Sequence, residues 1–163
     1  MDRATALKAA GDIAEVARTH ADESDRGRRM AAPIVHAFEA SGLAGLVMPT
    51  ALGGSASHPA VLAEVVETVS AADASAGWCT GIGIGSNATA AVLDAAVAKE
   101  VFTDPTRGGV GVFMPGGQVR TSGTGLELNG RWSFASNCHQ AQVGPFGTFR
   151  MTRMHPNCLA ERI

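Results

Sequence analysis

Long apolar runs are missing from this chain. No stretch approaches the roughly 20 consecutive apolar residues a membrane-spanning helix needs, and the start, Met-Asp-Arg-Ala-Thr-Ala-Leu-Lys, lacks the apolar segment of a secretory signal. Cysteine is scarce. Cys79, Cys138 and Cys158 are odd in number and far apart, so they outline neither a disulfide framework nor a zinc site. They read as free thiols in a reducing cytoplasm. Charge of one sign is not in excess either: 13 Lys and Arg stand against 15 Asp and Glu, a net charge of −2. That balance gives no electrostatic reason to expect nucleic acid or an anionic membrane as partner. Lysine is nearly absent, with Lys8 and Lys99 the only two.

What is present suits a globular protein. Hydrophobic residues make up 45% and charged residues 17% of 163 positions, enough for one domain, or for a helical unit and a small β unit. Residues 5 to 104 read as a run of helices. Thr5 is placed to cap the first, in which Leu7, Ala10, Ala14 and Ala17 recur at helical spacing. The charged cluster from His20 to Arg29 reads as a solvated break. A second helix carries Pro33 in its first turn, turns Ile34, Val35 and Phe38 inward, and stops at Gly42. Leu43 to Ser57 is a loop in which Gly53-Gly54 either turns the chain or lets backbone approach a ligand. Ser57 is placed to cap a third helix striped by Val61, Leu62, Val65, Val66 and Val69, and Asp73 a fourth. Gly81-Ile-Gly-Ile-Gly85 is no dinucleotide fingerprint, because a helix precedes it and the third glycine falls on Ser86. Small residues at that density let two helices approach closely. A last helix is expected from near Thr89 through Val97 to Phe102.

From Arg107 the period changes from helical to alternating. Val110, Val112 and Met114 line a strand that Pro115-Gly-Gly117 is expected to end, Gln118 to Ser122 reads as a second strand, and Ser122-Gly-Thr-Gly125 turns the chain. Asn129-Gly130 is the strongest short-range hairpin signal. It would put Leu126 and Leu128 on one face, and Trp132 and Phe134 on the other. The expected fold class is α+β: an all-α N-terminal domain over 1–104, then a truncated antiparallel β domain over 105–142. The tail 143–163 has no sustained period and collects Pro145, Pro156, Arg150, Arg153, Arg162, His155 and Cys158. It reads as irregular, frameshifted or foreign, and the chain as stopping before its fold is complete.

Several phrases occur in the order and approximate spacing of the N-terminal half of a known family. They are Asp25-Arg26, Leu43-Ala-Gly-Leu46, Pro49 with Gly53-Gly54, Asp73-Ala-Ser-Ala-Gly-Trp78, Phe113-Met-Pro-Gly116 and Asn129 to Ser136. Over about residues 5 to 142 the chain resembles the acyl-CoA dehydrogenase superfamily. Gly77-Trp78 and Trp132-Ser-Phe-Ala-Ser136 are most similar to its two-component flavin-dependent monooxygenase branch. The dehydrogenases usually carry Thr-Glu-Pro where this chain reads Phe113-Met114-Pro115.

The resemblance implies a helical domain, a middle β domain and a C-terminal bundle, with flavin (FAD or reduced FMN) between the last two. In the monooxygenases a separate flavin reductase supplies reduced flavin, which reacts with dioxygen while the protein orients it and keeps it dry. Trp132 and Phe134 would wall the ring, Met114 and Pro115 would lie beside them, Ser136 would hydrogen-bond near the ring's N5 edge, and Trp78 would border the substrate pocket. The resemblance ends before the C-terminal bundle, and with it the tetramer contacts of full-length relatives and the dehydrogenases' catalytic glutamate. Ser86-Asn87 replaces a histidine of some monooxygenases, Asn137 stands where relatives often have glycine, and His139 reads as a strand-end residue. No catalytic acid or base and no metal ligand is assigned. Three functions therefore compete: a monooxygenase oxygenase component, active or inactivated by truncation; an acyl-CoA dehydrogenase proper; and a non-catalytic helical remnant or interaction module.

Overall fold

The structure is a computed structural model that describes residues 1–150 and 161–162. It forms two compact units, Met1–Val110 with Ser136–Gly144, and Gly111–Ala135 with the chain from Pro145.

The first unit is helical. α1 (Arg3–Gly27) starts at Asp2, whose carboxylate accepts the Thr5 N–H at 2.8 Å, so the cap lies three residues before the expected Thr5. Ala6, Ala10, Ile13, Ala14 and Ala17 are its buried stripe. The charged cluster opens on a kink at His20 (φ −110°, ψ 16°), beyond which the chain stays helical to Gly27 instead of forming a turn. Local pairs hold it there. His20 Nδ1 meets Glu23 at 2.9 Å, and Ser24 Oγ donates to the His20 carbonyl while accepting the Ala31 N–H. Arg28 ends the helix at φ 49°.

α2 (Ala32–Ser41) has Pro33 in its first turn, buries Ile34 and Phe38, and stops at Gly42 with φ 71°. Next come two short 3-10 turns, Leu43–Gly45 and Thr50–Leu52, with Leu43, Leu46 and Met48 fully buried. Gly53-Gly54 turns the chain. Gly53 has φ 81°, and the backbone that Gly54 approaches belongs to Met48.

α3 (Pro59–Ser70) is capped by His58 instead of Ser57, the imidazole Nδ1 accepting the Ala60 N–H at 3.1 Å. α4 (Ala74–Asn87) begins at Asp73, which accepts the Ala76 N–H at 2.6 Å. α4 packs on α3 with almost no side chain between them: a Cβ on Gly77 would lie 2.7 Å from Ser70 Cα, and one on Gly81 3.1 Å from Val66 Cγ2. The expected last helix is two pieces, a 3-10 turn over Ala88–Ala91 and α5 (Ala95–Val101), capped by Asp94. Ile13, Ile34, Phe38, Leu43, Leu46, Val65, Val69 and Ile84 meet in one core. Each large side chain removed from water there contributes about 1.5–3 kcal/mol.

The second unit is a thin sheet in the order β2-β1-β3-β4, built from β1 (Val112–Ser122), β2 (Gly125–Gly130), β3 (Phe146–Arg150) and β4 (Glu161–Arg162). The sheet is mixed, not antiparallel throughout: β1 pairs antiparallel with β2 but parallel with β3. The long connection between β1 and β3 supplies the crossover that parallel pairing requires. Pro115-Gly-Gly117 does not end the strand. Between Val112↔Phe146 and Gly117↔Thr148, β1 advances five residues while β3 advances two, so the phrase is absorbed as a bulge.

The hairpin turn is also elsewhere. Ser122 pairs with Gly125 across Gly123-Thr124, and Gly123 has φ 61°, a two-residue loop with glycine first. Asn129 and Gly130 pair in register with Gln118 and Gly117, and neither has positive φ. Phe146–Arg150, expected to be irregular, is a strand. The rest of the expected foreign tail, including His155, Pro156 and Cys158, lies outside the described residues.

Candidate functional site

Trp78 stands on α4, one residue after the glycine that lets α4 settle on α3. Its indole is 61% exposed, yet its Nε1–H donates to Ser136 Oγ at 2.9 Å. Ser136 belongs to the same unit, at the head of a segment clipped to the helices by its neighbour. Asn137 is buried with φ 73°, and its Nδ2 donates to the Gly109 carbonyl at 2.8 Å. Asparagine tolerates the left-handed region better than most residues, so the turn keeps the conformation a glycine would give. Space for the amide is left by two glycines: a Cβ on Gly83 or Gly108 would come within 3.1 Å and 3.0 Å of Asn137 Nδ2. The Asn137 carbonyl accepts the Ala141 N–H at 3.1 Å, and Gln140 Nε2 donates to Asn137 Oδ1.

Cys79, beside Trp78, is half-buried. Burial pushes its thiol up, the Asn137 backbone N–H partly opposing, and Asp73 and Cys138 raise it further. Asn137 meets α4 at Gly83, beside which its amide lies. His139 is exposed and lies in a turn, not at a strand end. With His36 it borders a cavity of about 510 Å3 that also meets Glu39 and Arg107, themselves an ion pair at 3.4 Å.

The other candidate residues lie in the sheet unit. Trp132 and Phe134 are not neighbours on one strand face, because the chain leaves β2 at Gly130 and both sit in a loop. Trp132 is half-buried. Its ring lies against Gly116, Gly117 and Gly130, tilts on Phe146 at 5.3 Å between centroids, and its Nε1–H donates to the Gly147 carbonyl at 2.7 Å. The tryptophan anchors its loop to the sheet. Phe134 does the opposite: it is 96% exposed and adopts φ 59°, an outlier for a bulky residue. Holding it there costs about 1–3 kcal/mol. Met114 is 77% exposed and Pro115 half-buried at the bulge.

Two exposed side chains of the sheet unit have the chemistry to meet a flat heteroaromatic ring. Phe134 and Met114 offer bare apolar surface. Ser136 keeps a hydroxyl proton for which no acceptor exists among the described residues. Sequence reasoning missed the Trp78–Ser136 and Cys79–Asn137 contacts, which join segments 58 residues apart in the chain and leave no periodic trace. Among the described residues no group of three or more His, Cys, Asp or Glu is placed to hold a metal, and no helix is long and apolar enough to cross a membrane.

Comparison with known proteins gives this geometry its setting. The chain is 32% identical over 127 residues to indole-3-acetate monooxygenase of Pseudomonas putida, covering 77% of this chain and 32% of that protein. It is 30% identical over 131 residues to the oxygenase component of an FADH(2)-dependent resorcinol hydroxylase of Rhizobium sp., covering 80% and 32%. The chain thus spans about a third of the length of the curated relatives it matches. In fold it is similar to the HsaA monooxygenase from M. tuberculosis, with a TM-score of 0.86, 24% identity, and coverage of 94% of this chain and 42% of that one. XiaF from Streptomyces sp., determined in complex with FADH2 and glycerol, superposes with a TM-score of 0.81 at 24% identity, covering 91% and 37%. Residues 4–101 match the family "Acyl-CoA dehydrogenase, N-terminal domain". A match over more than half of its residues makes this chain a member of the acyl-CoA dehydrogenase family.

Proposed function

We propose that this chain supplies the N-terminal and part of the β portion of a monooxygenase's oxygenase component. That component would use reduced flavin and dioxygen to hydroxylate a small aromatic compound. The observation that carries the reading is the run from Trp132 to Asn137. It fixes one aromatic ring to the sheet, holds the next bare at a strained backbone angle, and ends in a hydroxyl with an unused proton. A self-sufficient core has no use for a bare phenylalanine held at that angle; a flat ligand does. The sequence identity to oxygenases that act on indole-3-acetate and resorcinol supports both the reaction and the aromatic class.

Bound flavin would supply the oxygen activation, and the chain's own residues do the rest. Phe134 and Met114 would cover the ring and exclude water. Trp132 would keep the Phe134 loop in place, Pro115 would stiffen the bulge beside Met114, and Ser136 would donate its proton to a ring acceptor. The exposed face of Trp78 would meet the aromatic substrate. A separate flavin reductase is the partner this scheme requires, and the cytoplasm is the compartment that supplies it with reduced nicotinamide.

The test is anaerobic titration of the chain with FADH2, FMNH2 and their oxidised forms, followed by oxygen uptake with a flavin reductase and NADH. Saturable binding that favours the reduced form is expected. Turnover of an acyl-CoA with an artificial acceptor would move the assignment to the dehydrogenases, and binding of no flavin would end it.

A further inference from the structure

We propose that Trp78 is a positioning residue for Ser136: its indole N–H occupies a lone pair of the serine hydroxyl and so commits the hydroxyl proton to an acceptor on a bound flavin ring. This rests on the flavin reading above and assigns Trp78 a role in addition to facing substrate.

The chemistry of the two groups carries the argument. An indole N–H can only donate, whereas a serine hydroxyl has one proton and two lone pairs and rotates to suit its partners. When the indole fills a lone pair, the proton must point away from Trp78. No described residue takes it. A hydroxyl that accepts one hydrogen bond also donates the next more strongly, by about 10–30% per bond.

The contact is not a chance meeting of surface side chains, because both ends are fixed independently. α4 is held by the Asp73 cap and by Gly77 and Gly81 lying close on α3. Ser136 is held by Asn137, whose amide reaches the Gly109 carbonyl and whose own carbonyl accepts the Ala141 N–H. The Trp78–Ser136 bond and the Asn137 amide seated between Gly83 of α4 and Gly108 therefore set the register of this segment along α4. Solvent exposure of 61% would ordinarily leave an indole free to choose water; here the register chooses Ser136.

The chain has two tryptophans, so the bond can be read without turnover. In 1H–15N spectra, W132F assigns the remaining indole signal to Trp78. S136A should shift that signal and speed its hydrogen exchange, and S136T should restore both. A Trp78 signal indifferent to S136A overturns the proposal. Binding of FADH2 without substrate then tests the consequence. W78F and S136A should each weaken it by about threefold to tenfold, the scale of one net hydrogen bond, and the double variant should lose no more than either alone. Additive losses, or W78F binding as tightly as the parent while S136A does not, refute the positioning role and leave the flavin reading standing. Failure of the parent chain to bind flavin sinks both.

Discussion

Cys79 and Cys138 lie close together yet should behave differently. Burial raises the Cys79 thiol, and the Asn137 N–H only partly compensates, whereas Cys138 is exposed. Alkylation followed by peptide mass spectrometry at pH 7 to 8 should label Cys138 several-fold faster, with Cys79 catching up only at higher pH. The stability effect has a definite sign. Below the ordinary thiol range both folded and unfolded chains keep this proton. As pH rises, the unfolded chain ionises first, so the contribution is lost from the ordinary thiol pKa upward through the raised folded value. Single residues were legible where their role is local: Asp73 as a cap, Gly42 as a stop and Pro33 in a first turn all depend on a few neighbours. Ser136 was legible only as part of a familiar phrase. That Trp78 is its partner was not, since nothing in either segment encodes the distance between them.

At the scale of elements, the glycines of α4 make a sharp contrast. A Cβ on Gly77 would collide with Ser70, while Gly85 has nothing within 4 Å. Gly77→Ala should therefore destabilise the chain by about 1–3 kcal/mol through overpacking. Gly85→Ala should be neutral, or stabilising by up to about 1 kcal/mol from helix propensity alone. Paired denaturant titrations read the difference, and equal effects would contradict the close α3–α4 approach. Helix content was legible because apolar spacing is sustained along 5–104, although the caps expected at Thr5 and Ser57 fall on Asp2 and His58. The hairpin was not. Ser122-Gly-Thr-Gly125 was legible as a turn, but turn propensity alone ranked Asn129-Gly130 above it. Register decided: turning at Gly123 lets β2 pair along β1 from Ser122 back to Gly117 and brings the glycines at 116, 117 and 130 under the Trp132 ring. The parallel β1–β3 pairing was equally hidden, because it joins segments whose relation depends on everything between them.

At the scale of the whole molecule the two units differ in what protects them. The helical unit has a buried core of large side chains, whereas β1 buries only Gly117 and Val119, and every residue of β2 is exposed. Native-state hydrogen exchange should show amides of α1, α3 and α4 opening only near the global unfolding free energy, with β2 amides exchanging far earlier. Uniform protection across both units would contradict that division. The α+β class was legible from the change of period near Arg107. The grouping of Ser136–Gly144 with the helices was not, because that segment is held there by single contacts, Asn137 to Gly109 and Val143 to Val110.

Phe134 shows where such a design is exposed to evolution. Its backbone angle suits glycine or asparagine, and among the described residues its ring touches almost nothing, so their packing alone gives no reason to retain it. Selection for heat tolerance alone would favour replacing phenylalanine here. Wherever the aromatic ring persists, something other than the fold has been choosing it.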